Sequence, residues 1–145
     1  MKTIIVYATN SGASFECAKL IQKKLPACDL YNLETDSFNL QDYDRIILGA
    51  GVKNNTIYKP MRDFLKENLA LLLTKELALF ICNGKPKSVE EILNKVFKPE
   101  LREHALFAES FGGYKQHWLP LKEDQELRGI DIQKIEAAIS LLKET

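Results

Sequence analysis

Six consecutive residues near the amino terminus, Thr9-Asn10-Ser11-Gly12-Ala13-Ser14, gather four neutral side-chain donors around one glycine. The hydroxyls of Thr9, Ser11 and Ser14 and the amide of Asn10 donate without carrying charge, and Gly12 lets a ligand come close to the backbone. A run of β-branched and apolar residues, Thr3 to Ala8, precedes them, and a segment of helical spacing follows. The N-terminus of a helix offers N–H groups and a partial positive charge, so the arrangement suits an anion, above all a phosphate. A single Ser would be explained as an ordinary helix cap, whereas four donors and a glycine in six residues point to anion binding. No Lys follows the glycine, which excludes a P-loop NTPase, and there is no G-x-G-x-x-G, which argues against a dinucleotide pyrophosphate. A hydroxyl-rich loop without a cation fits a terminal phosphate monoester.

The elements that must hold this loop alternate from end to end of the chain. Thr3–Ala8 is apolar almost throughout, the mark of a parallel strand covered on both faces. Ser14–Lys24 reads as a helix with Phe15, Ala18, Ile21 and Leu25 in register, stopped by Pro26. Asp29–Leu33 is a short, half-polar strand suited to a sheet edge, and Ser37–Asp44 is a connector with one helical turn. Arg45–Ala50 is the next buried strand, Gly51–Lys59 a polar loop, and a helix runs from Pro60 to Leu72. Glu76–Cys82 is the fourth strand, followed by a loop from Asn83. Ser88 and Glu91 then form a capping box for a helix with Val89, Ile92, Leu93, Val96 and Phe97 on its inner face. Ala105–Phe111 is the fifth strand, Gly112–Arg128 a long loop, and Asp131–Lys143 the closing helix.

This alternation predicts a three-layer α/β/α sandwich around a five-stranded parallel sheet of order 2-1-3-4-5, as one domain over residues 1–145. In that order the apolar first strand is central and the polar second lies at the edge. Ligands bind such sheets beyond the carboxyl ends of the strands where the order reverses. Here that point falls between the loops after strands one and three.

Composition narrows the partners. Lys plus Arg and Asp plus Glu each number 20, which leaves no basic face for nucleic acid and no polybasic membrane signal. The apolar runs, Leu69–Leu73 among them, are too short to span a membrane, and the amino terminus lacks a signal-peptide pattern. Cys17, Cys28 and Cys82 form no CxxC pair and are expected to be buried thiols in a reducing, cytoplasmic setting. His and Cys show no zinc-type spacing, so no metal is expected, and His104 is expected at the surface.

FMN ends in the kind of phosphate monoester that the first loop suits. On Tyr7, Thr9, Gly12, Ser14 and Ala18 the chain resembles the flavodoxin family. The shared pattern is an apolar strand ending in an aromatic, then T-x-x-G-x-T and an Ala four residues later, with Ser14 here replacing the usual Thr. The order of elements extends the resemblance over nearly the whole chain. It implies an FMN-binding redox protein that transfers electrons with a partner protein or a small-molecule donor or acceptor, as a monomer or homodimer. The phosphate would lie on Thr9, Asn10, Ser11, Gly12, Ala13 and Ser14. The flat ring would meet Gly51, Val52, Lys53, Asn54 and Tyr58 after strand three, and Asn83, Gly84 and Lys85 after strand four. Gly113, Tyr114 and Trp118 stand after strand five, where an aromatic side chain would stack on the ring. Lys53, Lys85 and Lys87 are cations where electron-carrying flavodoxins are acidic, so a less negative reduction potential is expected.

Gly49-Ala50-Gly51-Val52-Lys53, Tyr58, Asp63-Phe64 and Gly112-Gly113-Tyr114 with Trp118 are also similar to the menaquinone-dependent protoporphyrinogen oxidase branch. That resemblance implies an FMN-dependent oxidase or quinone-linked dehydrogenase as the alternative. The branch carries a longer, basic insertion where this chain has the charge-mixed segment Lys115–Arg128. A third reading, from another class, is a flavodoxin fold without FMN that serves as a binding module. No catalytic residue is assigned from the sequence.

Overall fold

A computed structural model describes residues 1–8, 12–53, 56–83, 89–112 and 130–144. In chain order its strands are β1 (Thr3–Ala8), β2 (Cys28–Asn32), β3 (Arg45–Lys53), β4 (Thr56–Ile57), β5 (Glu76–Cys82) and β6 (Ala108–Ser110). The helices are α1 (Ala13–Lys24), α2 (Lys59–Glu67), α3 (Leu69–Leu72), α4 (Val89–Val96), α5 (Pro99–His104) and α6 (Ile132–Glu144), and a single 3₁₀ turn spans Leu40–Asp42.

β2, β1, β3, β5 and β6 lie side by side in that order, every pair parallel. With the two-residue β4 set aside, this is the expected 2-1-3-4-5 arrangement. The central strands are apolar on both faces because helices cover both. Ile4, Val6, Ile46, Leu48, Leu77 and Leu79 pack on the side of α2, α4 and α5, against Met61, Leu65, Ile92, Leu93 and Leu101. Ile5, Ile47, Ala78 and Phe80 pack on the other side, against Cys17, Ala18 and Ile21 of α1 and Ile135, Ala138 and Leu142 of α6. β2 is half-buried along its whole length, as an edge strand should be. Among the described residues no helix is long and apolar enough to cross a membrane.

The structure departs from the expected elements in three places. The polar loop expected after Ala50 is partly strand: β3 continues to Lys53, and Val52 and Lys53 pair antiparallel with Ile57 and Thr56. The helix expected from Pro60 to Leu72 is broken at Asn68. The Asn68 side-chain amide and backbone N–H both donate to the Phe64 carbonyl, at 2.9 and 3.0 Å, so the residue caps α2 instead of continuing it. The fifth strand is shorter than expected, and a short helix, α5, precedes it with Pro99 in its first turn. Leu106 and Phe107 still bond to β5, through Leu106 N–H to the Leu77 carbonyl at 2.7 Å and Leu79 N–H to the Phe107 carbonyl at 2.9 Å. His104 is exposed, as expected, and its Nε2 lies 2.6 Å from the Lys75 carbonyl.

Candidate functional site at the carboxyl edge of the sheet

The strand register brings the ends of the strands that precede the loops named from the sequence to one edge. Ala8 stands opposite Ala50, and Gly51 opposite Cys82, so the chain leaves β1, β3 and β5 at nearly one level. Gly12, Val52 and Asn83 follow just beyond that level. β6 ends beside them: Ser110 is level with Ile81, and Gly112 bridges Ile130 antiparallel.

Gly12 is the N-cap of α1 with φ 93° and ψ −13°. This is the left-handed region, open to glycine and costly for most side chains. Among the described residues no side chain caps the first turn of α1. The partial positive charge at the N-terminus of this 12-residue helix lies at this edge.

Ala13 and Ser14 are both buried. The Ser14 hydroxyl donates to the Ala8 carbonyl at 3.1 Å. A hydroxyl has one proton to give. In this arrangement Ser14 therefore ties the end of β1 to the start of α1 and offers an anion only its N–H. Ser14→Ala is expected to cost about 1 kcal/mol of stability, the net worth of one such bond, with a parallel few-fold loss of anion affinity as the loop loosens. Chemical denaturation of the variant checks the first figure.

After β3, Gly51 is buried, Val52 half-buried and Lys53 exposed. Tyr58 N–H donates to the Gly51 carbonyl at 3.1 Å, which folds α2 back toward β3. The Glu34 carboxylate beside the Tyr58 hydroxyl, with some burial, raises the phenol above its ordinary value and keeps it a neutral donor. Glu34 has no distinguishing signal in the sequence; the turn after β2 carries it there. Asn83 is 6% exposed directly after β5. Thr9, Asn10, Ser11, Asn54, Gly84, Lys85, Gly113, Tyr114 and Trp118 lie outside the described residues, as do Lys87 and Ser88.

Tyr7, the aromatic that ends the β1 run, packs on Phe15 with centroids 5.2 Å apart, and burial pushes its phenol up. Cys17 and Cys82 meet beneath the edge, the Cys82 thiol donating to Cys17 Sγ at 3.6 Å. That contact and burial raise the Cys82 thiol well above its ordinary value. Cys28 is half-buried rather than buried, and burial, with Asp29 nearby, pushes it up to about 11. Cys28 and Cys82 are thus protonated near neutral pH and poor nucleophiles. Among the described residues no group of three His, Cys, Asp or Glu is placed to hold a metal.

The family model described as a flavodoxin domain matches residues 4–119. The chain therefore belongs to the flavodoxin family. Solved structures agree on the fold. Oxidised Flavodoxin 2 from Bacillus cereus is 23% identical, with 99% of each chain covered and a TM-score of 0.70. Oxidised Flavodoxin 1 from Bacillus cereus is 18% identical, over 99% of this chain and 98% of that one, with a TM-score of 0.65. A flavoprotein in complex with FMN from Lactobacillus acidophilus is 18% identical, over 77% of this chain and 91% of that one, with a TM-score of 0.52. Among curated proteins, none matches the chain at the sequence level.

Proposed function

We propose that this chain, as one domain, binds FMN at the carboxyl edge of its sheet and carries electrons to a redox partner. Family membership supports the cofactor, and one of the similar structures is a flavoprotein in complex with FMN. The observation that carries the reading is Gly12. Its left-handed N-cap gives α1 no side chain of its own to cap the first turn, at the mouth of the hydroxyl-bearing loop.

The residues present fit the group. The amides at the start of α1, with the hydroxyls of Thr9 and Ser11 and the Asn10 amide, hold the phosphate as neutral donors. Ser14 fixes the loop from behind through Ala8. Gly51, Val52, Lys53, Asn54 and Tyr58 on one side, and Asn83, Gly84 and Lys85 on the other, border the ring. Gly113, Tyr114 and Trp118 are assigned to its outer face. Lys53 is exposed at the end of β3 and favours added negative charge on the ring. FMN, when bound, supplies the ability to take up and release electrons.

The protein purified from its natural source or a flavin-replete host is expected to be yellow and to release FMN on denaturation. A colourless protein that takes up no FMN from solution would favour the reading as a binding module.

A further inference from the structure

Between α2 and the α4–α5 pair lies a cleft of about 250 Å³. It opens on the sheet face opposite α1, away from the first turn assigned to the phosphate. Leu65, Leu69, Val96 and Leu101 line it; Leu65 and Leu101 are buried and the other two half-buried. Arg62, Lys66, Lys95 and Lys98 also line it, and all four are exposed. No Asp or Glu is among its described lining residues.

The charge here is segregated rather than general, because the whole chain has net charge +0. Of the nearby carboxylates, Glu90 pairs with Arg102 at 3.5 Å, and Asp63 pairs with Lys59 at 2.9 Å, with Lys66 and Arg62 adding weaker attraction that also holds its carboxyl below the ordinary value. Among the described residues none of the four lining cations forms an ion pair. Long basic side chains lay their methylene stems along apolar surface and keep their charged ends in water. The result is a greasy trough with cations at its mouth.

We propose that this cleft binds an amphipathic organic anion, a carboxylate on a medium-length saturated chain. The chain would lie on the four apolar side chains, and the carboxylate would meet the cations. The volume suits this class: at ~30 Å³ per water-sized group it takes roughly eight such groups. That is just below the ~300–1,000 Å³ of sites built for larger ligands.

Decanoate is the probe, titrated into the full chain as purified and followed by amide NMR, with decanol and acetate alongside. Decanoate is expected to shift Leu65, Leu69, Val96 and Leu101 saturably and to bind at least about tenfold more tightly than decanol. High salt should weaken it, and acetate should shift nothing. Lys66→Glu with Lys95→Glu should lose at least about tenfold in affinity, while Lys66→Arg with Lys95→Arg keeps it. Equal binding of decanol and decanoate, no saturable shift, or shifts confined to the carboxyl edge of the sheet would each overturn the proposal. Concentration-dependent broadening of the same amides without decanoate would also overturn it, by giving the cleft to a second copy of the chain.

Discussion

Gly49→Ala is expected to lower folding stability by at least ~3 kcal/mol, the upper part of the usual range for an overpacked core. Gly49 lies opposite Phe80 in the β3–β5 pairing. A Cβ on Gly49 would stand 1.9 Å from Phe80 Cζ, with two more ring carbons at 2.3 and 2.4 Å. Carbon atoms rest at about 3.5–4.0 Å, so this is overlap rather than tight contact. The ring has nowhere to go. Phe80 is fully buried and stacks on Phe111 at 5.1 Å, and Phe111 in turn contacts Phe107 at 6.2 Å. Either Phe80 leaves its rotamer or β3 and β5 move apart. Urea denaturation measures the loss. Phe80→Leu in the Gly49→Ala background should cost less than the two changes summed, because the smaller side chain vacates the contested space. A Gly49→Ala protein with the parent's midpoint would contradict this packing.

Gly12→Asp is expected to reduce FMN affinity by at least about a hundredfold, equal to about 2.7 kcal/mol, while leaving the fold nearly intact. Aspartate tolerates the left-handed region better than most residues, but the φ of 93° still strains it by about 1–2 kcal/mol, a loss a folded domain withstands. Its carboxylate, however, would stand beside the amides assigned to the phosphate. Two like charges ~5 Å apart repel by about 3 kcal/mol at an effective dielectric near 20. The repulsion needs the phosphate, so affinity for riboflavin should not change. Thermal unfolding of the apoprotein separates this effect from misfolding. A Gly12→Asp protein that holds FMN as tightly as the parent would place the phosphate elsewhere.

How legible these features were in the sequence follows from how local their causes are. β1 and the strand Glu76–Cys82 were readable to the residue, because an uninterrupted apolar run has one good fate, a strand covered on both faces. The polar edge strand and the placing of Pro60 in the first turn of α2 followed from equally local rules. The break at Asn68 was hidden, because Leu69–Leu73 continues the apolar pattern while one side-chain amide decides the cap. α5 is six residues long, too short to show a period. The β3–β4 hairpin had a visible signal: Val52 and Ile57 alternate with Lys53 and Thr56 around two intervening residues.

Around the candidate site, the strand order predicted which strands are neighbours, and the register of β1, β3 and β5 puts their carboxyl ends nearly level. The bond from Ser14 to Ala8 could not be read, because a hydroxyl in a loop serves a ligand or its own backbone equally well. The same is true of Glu34 beside Tyr58 and Cys82 against Cys17, contacts made by residues 24 and 65 positions apart.

Direct titration of the apoprotein with FMN and with riboflavin isolates the phosphate, since the two ligands differ in nothing else. A cradle of hydroxyls and main-chain amides contributes several charge-assisted bonds of about 1.5–3 kcal/mol each. FMN is therefore expected to bind at least about a hundredfold more tightly than riboflavin. Equal affinities would contradict a phosphate held at the start of α1.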